Sequence, residues 1–276
     1  MQDRKSLFLR EPHVLWPGFE GKQKSKKERL FSLLAWSVLS VGAAVMLLPF
    51  LWMVLTSVKP ANEIVSYPPI LFPSQITWAR FGRIFGELKF GLYFWNSIYI
   101  CVLTTVISLF TSALTGYIFA KFEFAGKNFL FTAILATMMI PFTVTMIPMY
   151  LLFSKAGLVD HHLAIILPSL YNTFGIFMMR QFMQGLPTEL LESGRIDGAG
   201  EFRIFLQLML PQTKPALAAL AIFIFMWQWD NFLWPLIVLQ SEERFTLPVG
   251  LTAFSQQYWT DYGLVMAVAT VTVLPV

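Results

Sequence analysis

The chain has 276 residues, 56% hydrophobic and 16% aromatic but only 13% charged, with a mean hydropathy of +0.62. Soluble domains carry about 25% charged residues, so lipid rather than water is the expected solvent for most of these side chains. A net charge of +4 does not argue for nucleic acid, because eight of the 20 Lys and Arg precede Leu30, and the single Cys101 excludes an internal disulfide. With no C-x-x-C and no Cys/His cluster, redox chemistry and structural zinc are not expected.

Residues 1–29 read as a basic cytoplasmic tail, too long and too charged for a cleavable signal peptide. A helix crosses about 30 Å of hydrocarbon with roughly 20 residues. Apolar windows of that order run over 30–58, 90–120, 128–154, 161–182 and 215–237, the last containing Asp230. A sixth window, 262–276, is cut off at Val276, and the natural protein is expected to continue. This predicts an all-α integral membrane protein with six transmembrane helices. With the N-terminus inside, the inner segments 1–29, 121–127 and 180–214 carry 14 Lys and Arg against 6 outside, as the positive-inside rule requires.

Pro141 and Pro148 fall in the third window and Pro168 in the fourth. Proline removes an N–H and kinks a helix, and such kinks serve either shape alone or gating. The segments Lys59 to Lys89 and Ser241 to Asp261 read as outer loops.

Residues 188–211 are polar, charged and Gly-punctuated between two apolar windows. Thr188 is the expected N-cap, with Glu189 and Glu192 at the positive end of the helix dipole. Phe202, Phe205, Leu206 and Met209 recur at helical spacing and predict one apolar face. Gly198 and Gly200 interrupt the pattern. The expectation is two short helices joined by a bend, between the fourth and fifth spans. By itself this fits an interfacial amphipathic helix as well as a mechanical lever.

Glu192, Gly198, Leu208 and Pro211 fit E-x5-G-x9-[IL]-x-[LP]-P, and E-S-G-R-I-D-G-A-G closely resembles the EAA loop of bacterial ABC importer permeases. Ser193 and Gly194 stand where that pattern has two alanines. Further fragments are similar to the carbohydrate-uptake branch: Asn96–Ser97, Tyr117 to Lys127, Ile147 to Phe153, Gly157–Leu158, Phe177 to Phe182, Trp229 to Leu236 and Thr246 to Leu251. From about Leu30 to Val276 the chain resembles the smaller permease of a maltose-transporter-type pair. The resemblance implies the type I importer permease fold (MetI-like). It also implies a second unlike permease, an ATPase dimer, an extracytoplasmic sugar-binding protein and a sugar or oligosaccharide substrate. Glu192, Ser193, Gly194, Asp197, Gly198, Leu208 and Pro211 would then form the coupling site for the ATPase. Glu192 would meet an ATPase arginine, Gly198 would set the bend and Pro211 the exit to span five. Gln256, Gln257, Tyr258 and Trp259 lie where family members touch the binding protein, although Trp259 equally fits a membrane-interface aromatic.

Asp230 is a membrane acid and hence a functional candidate. It serves as a structural hydrogen-bonding group or lines the path together with Tyr171, Asn172 and Asn231; a proton relay lacks a second deep ionisable residue. A secondary transporter would need coupling-ion carboxylates or discontinuous helix pairs in repeated halves, neither of which is legible. A membrane enzyme would need a metal or acid/base cluster, whereas the only histidines are His13, His161 and His162. Without G-x4-G-K-[ST], ATP is hydrolysed by another chain. No cofactor, metal or catalytic residue is expected here, and the identity of the saccharide is not readable.

Overall fold

The computed structural model describes residues 26–86, 88–258 and 261–275, with side chains at all of these except 26, 28, 29 and 253–258. Every described element is helical. In chain order they are α1 (Lys26–Val58), α2 (Ala61–Ile64), α3 (Ala79–Gly86), α4 (Phe90–Lys121), α5 (Lys127–Thr137), α6 (Phe142–Lys155) and α7 (Leu163–Ile166), which passes into a 3-10 turn. Then follow α8 (Thr173–Gln184), α9 (Glu189–Ile196) and α10 (Glu201–Ile204), which continues through a π-helical turn (Phe205–Met209) into α11 (Leu210–Gln212). The last are α12 (Lys214–Trp229), α13 (Leu233–Val238), α14 (Leu247–Tyr258) and α15 (Tyr262–Val273).

The chain divides into two compact units, residues 1–51 and 52–276. The first holds most of α1, an apolar helix that accommodates Pro49. In the second, α4 is the spine. Ala113 and Tyr117 belong to a core with Met179, Met183, Leu191, Ile204, Phe205 and Leu220. Phe90, Tyr93 and Cys101 belong to another with Trp229, Leu247 and Leu264. Ile100 joins a third with Phe153, Ile165 and Trp234.

Close packing of α4 on α8 follows from small residues at every fourth position. Ser108, Ser112 and Gly116 line one stripe of α4, and all three are buried. A Cβ on Gly116 would lie 2.7 Å from the Cβ of Met179, and Ser108 Oγ donates to the Ser169 carbonyl at 2.6 Å. Lipid supplies no hydrophobic drive between helices, so such small-residue contacts and interhelical hydrogen bonds carry the association.

Among the described residues, Leu30–Val58, Phe90–Lys121 and Leu163–Gln184 are long and apolar enough to cross a membrane, and two bent pairs raise the number to five; Tyr262–Val273 is a shorter apolar helix. The third window, expected as one span over 128–154, is two helices meeting at 97°. Pro141, at φ −59° and ψ 137°, starts α6, and the residue before a proline is pushed out of the helical region. Pro148, by contrast, sits inside α6 without breaking it. The fourth window is interrupted at Tyr171–Asn172, where the Asn172 side chain accepts the Gly175 N–H at 2.7 Å and restarts the helix as α8. The fifth window stops at Trp229 and resumes only at Leu233.

The segment expected as a plain loop over Ser241 to Asp261 contains helix α14. Pro248 suits a first helical turn, where no partner for its nitrogen is needed, and the flanking Leu247 and Val249 are buried.

Candidate functional site

Helix α9 turns Leu191 and Gly194 inward and leaves Glu192, Ser193, Ile196 and Asp197 exposed. Its end is a Schellman motif: the Gly198 N–H reaches the Arg195 carbonyl at 3.0 Å and the Ala199 N–H the Gly194 carbonyl at 2.9 Å. That motif needs a left-handed residue one past the cap, and Gly198 sits at φ 75°. The sequence expectation for Gly198 is met by the backbone.

Past the bend, the chain folds back so that Gly194 lies against Ile204 and Leu208. A Cβ at Gly194 would come within 2.9 Å of Ile204 Cγ1 and of Leu208 Cδ1. Two residues of the sequence motif, fourteen positions apart, thus touch. Ile204, Phe205 and Met209 are fully buried, each worth roughly 1.5–3 kcal/mol of apolar burial. The expected face of Phe202, Phe205, Leu206 and Met209 is therefore only half right, since Phe202 and Leu206 are exposed. The cause is the π-helical turn over 205–209. Its i→i+5 bonding widens the turn and brings residues 204, 205 and 209 to one side. Pro211 lies within α11, and the chain bends by 82° at Thr213 before α12. Thr188 occupies the N-cap position but makes no side-chain cap hydrogen bond; its carbonyl receives the Leu191 and Glu192 N–H groups instead.

Three polar links that the sequence did not announce fasten this bent loop. Arg195 Nε donates to Glu201 Oε1 at 2.7 Å across the bend. The Tyr117 hydroxyl, from α4, donates to Glu201 Oε2 at 3.2 Å. Lys121 Nζ, at the end of α4, donates to the Leu186 carbonyl at 2.6 Å. The hydrogen bond from Arg195, helped by that from Tyr117, holds the Glu201 carboxyl below its ordinary range.

The opposite end of α4 is also polar. Asn96 Nδ2 donates to the carbonyls of Glu243 and Phe245 at 2.9 and 3.0 Å, and Ser97 Oγ accepts the Leu247 N–H at 2.7 Å. Lys89 Nζ bridges Glu242 and Glu243 at 2.8 and 2.9 Å. Asp160, at φ 62°, accepts the N–H groups of Gln240 and Ser241, both at 2.9 Å. Burial alone would raise its pKa, but Ser241, Gln240 and Arg244 bring it down to about 2. Arg244 donates to His161 Nδ1 at 2.7 Å. A guanidinium only donates, so that nitrogen accepts and the ring proton sits on Nε2. This clamp presents α14, whose backbone carries Gln256, Gln257 and Tyr258; Trp259 lies outside the described residues.

The four expected pathway residues sit at the helix breaks. Tyr171 is 48% exposed and shares a hydrogen bond of 3.2 Å with Thr137. Asn172 is the cap of α8, a structural role. Asp230 is exposed and ends α12, with Asn231 half-buried beside it. The Asp230 N–H closes α12 on the Met226 carbonyl at 3.0 Å, but its carboxylate makes no hydrogen bond or ion pair among the described residues, so a structural hydrogen-bonding role for the side chain is not seen. Discontinuous helices, absent from the sequence reading, are present in consecutive spans rather than in repeated halves. No cluster of three or more His, Cys, Asp or Glu able to hold a metal occurs among the described residues.

Residues 112–276 match the family model of binding-protein-dependent transport system inner membrane components. The chain belongs to that family. This transport component is accordingly a multi-pass inner-membrane protein and not an enzyme. It is 38% identical to the arabinooligosaccharides transport system permease protein AraQ of Halalkalibacterium halodurans, over 91% of this chain and 92% of that one. It is 35% identical to the lactose transport system permease protein LacG of Rhizobium radiobacter, over 90% of each. With the diacetylchitobiose uptake system permease protein NgcG of Streptomyces coelicolor it shares 31% identity, over 91% of this chain and 84% of that one. Among solved structures, a bacterial ABC transporter involved in the import of the acidic polysaccharide alginate superposes with a TM-score of 0.81 at 24% identity. The match covers 91% of this chain and 94% of that one, and the expected importer-permease fold is borne out.

Proposed function

We propose that this component is the permease through which a sugar or oligosaccharide enters the cell, driven by ATP hydrolysis on a separate ATPase dimer. The relatives named for arabinooligosaccharides, lactose and diacetylchitobiose support a saccharide as cargo. The observation that carries the coupling is the two-sided character of α9. Its inner side is locked through Gly194 to Ile204 and Leu208, while its outer side presents Glu192, Ser193, Asp197 and Ile196, the last 85% exposed. Phe202 on the same loop is 57% exposed, and more than one apolar side chain left open on one bent loop suits a surface that a docking partner covers.

In this reading the tail 1–29 and the loop 188–211 face the cytoplasm, six spans over the windows given above make the permease domain, and a second unlike permease completes the pore. Glu192 meets an arginine of the ATPase. Closure of the ATPase dimer pulls the loop, and the Tyr117–Glu201 and Lys121–Leu186 links pass that displacement to α4, a rigid-body movement of packed helices. On the other side α14 meets the sugar-binding protein through Gln256, Gln257 and Tyr258, with Trp259 next in the chain. Tyr171, Asp230 and Asn231 line the path.

Glu192→Lys tests the coupling: the assembled importer is expected to hydrolyse ATP without taking up sugar, and normal uptake would refute it. Deleting residues 252–259 is expected to weaken stimulation of ATP hydrolysis by the binding protein.

A further inference from the structure

Three successive spans break in the half of the layer away from the 188–211 loop. From the loop-188–211 end, α5 runs 11 residues before its break, α8 comes 12 residues after its own, and α12 runs 16 residues to Trp229. At about 1.5 Å per residue these breaks lie roughly 16 to 24 Å in, between the middle of a hydrocarbon layer of about 30 Å and its far third. Side chains join them directly. Thr137 at the end of α5 hydrogen-bonds the hydroxyls of Tyr171 at 3.2 Å and Thr173 at 3.1 Å. Phe174 packs on Trp227 of α12 with ring centroids 5.6 Å apart. Phe142 at the start of α6 meets Trp234 of α13 at 6.0 Å.

The polarity of this joint has a direction. Thr137 Oγ1 donates to the Ile134 carbonyl at 2.7 Å. A hydroxyl has one proton, so Tyr171 and Thr173 are the donors towards Thr137. Their remaining capacity is acceptor capacity. Three positions from Trp227, which is 59% exposed, stands Asp230, an exposed carboxylate with neither ion pair nor hydrogen bond among the described residues. Arg180, on the neighbouring α8, is committed elsewhere: its guanidinium lies over the Phe131 ring at 4.0 Å, and its Nε donates to the Phe119 carbonyl. Asn172 and Asn231 contribute neutral amides. An ionised carboxylate within the membrane layer faces water or a counter-charge, and among the described residues no cation is paired with it.

We infer that the joint of the three broken spans is a water-filled, anion-excluding stretch of the conduction path, with Trp227 and Tyr171 as ring faces and Asp230 as the selecting charge, and that the cargo is an uncharged saccharide. This rests on the transport reading above. Aromatic rings pack on the C–H faces of a sugar, and acceptor oxygens match its hydroxyl donors. A uronate or phosphate brings further acceptors and a like charge to Asp230, which is unfavourable at reduced dielectric.

The test measures the field at the joint without needing the cargo. In the complete importer, carrying Cys101→Ser, a single cysteine is placed by Trp227→Cys or, independently, by Thr137→Cys. Each is reacted with a positively and a negatively charged methanethiosulfonate of similar size, with and without non-hydrolysable ATP. Both positions are expected to react in at least one state. The ratio of cationic to anionic rates is expected to fall about tenfold when Asp230→Asn is added. An unchanged ratio overturns the anion-excluding role. Reaction in no state, or only with an uncharged lipid-soluble maleimide, overturns the path itself. Thr137→Cys keeps the question answerable if Trp227→Cys does not assemble. Neither outcome bears on Glu192→Lys, so failure here is distinct from failure of the coupling reading.

Discussion

Tyr117 and Glu201, 84 residues apart, meet through a hydrogen bond of 3.2 Å that fastens the bent loop to the end of α4. Glu201 is held on its other oxygen by Arg195, so one carboxylate ties both arms of the bend to the helix that runs through every core of the second unit. In the proposed coupling, a displacement of α9 would reach α4 through this carboxylate.

Removing only that hydroxyl isolates the link. Tyr117→Phe keeps the ring packing on Phe205, 5.3 Å between centroids, and removes a hydrogen bond worth about 1 kcal/mol. The importer is expected to assemble with a slightly lower Tm and to transport fewer molecules per ATP. An unchanged transport-to-hydrolysis ratio would mean the link carries no movement.

Gly194 and Leu208 form a test pair. Gly194→Val is expected to destabilise the loop by about 1–3 kcal/mol through overpacking. The atoms in its way are Ile204 Cγ1, on a stiff β-branched side chain, and Cδ1, the free end of the Leu208 side chain. Adding Leu208→Ala is therefore expected to recover part of the lost uptake and ATPase binding, which a double-mutant cycle on complex stability would quantify.

The bend itself depends on backbone rather than contact. With φ at 75°, Gly198→Val places a β-branched residue in the left-handed region, at about 1–2 kcal/mol. Gly198→Asn, which tolerates that region, is expected to retain more uptake. Equal loss in both would point to side-chain bulk at the partner surface instead.

Asp160 governs the acid limit of the opposite end. Its pKa falls from an ordinary 3.8 to about 2 in the folded protein. A depressed carboxyl contributes stability that is fully present above the unfolded value and is lost as pH falls through the folded one. Tm of the purified complex is expected to keep this group's full contribution, with no pH dependence from it, between about pH 5 and 8 and to decline below about pH 4. Asp160→Asn is expected to lower Tm at neutral pH and to flatten that acid decline.

Much of this was legible in order of residues alone. Long apolar windows, asymmetric basic charge and the E-x5-G spacing are one-dimensional signals, because membrane thickness and a tight turn each constrain consecutive residues. The membrane class, the bent loop and its turn at Gly198 follow from them, and the resemblance carried by the loop's residues adds the family. Local geometry overrode periodicity in two places. A π-helical turn hid Phe202 and Leu206 from the core, and Pro141 broke a span that length alone would make continuous, while Pro148 did not.

What the sequence by itself determined is an α-helical membrane permease with a bent loop between its fourth and fifth windows. Only the tertiary structure decided which side chains meet. The contacts Tyr117 to Glu201, Gly194 to Leu208, Asn96 to Phe245 and Thr137 to Tyr171 join segments distant in the chain, and a hydrogen bond between such segments leaves no periodic trace in either. The standing of Asp230 is of the same kind, because only packed neighbours reveal whether a carboxylate has a partner among the described residues.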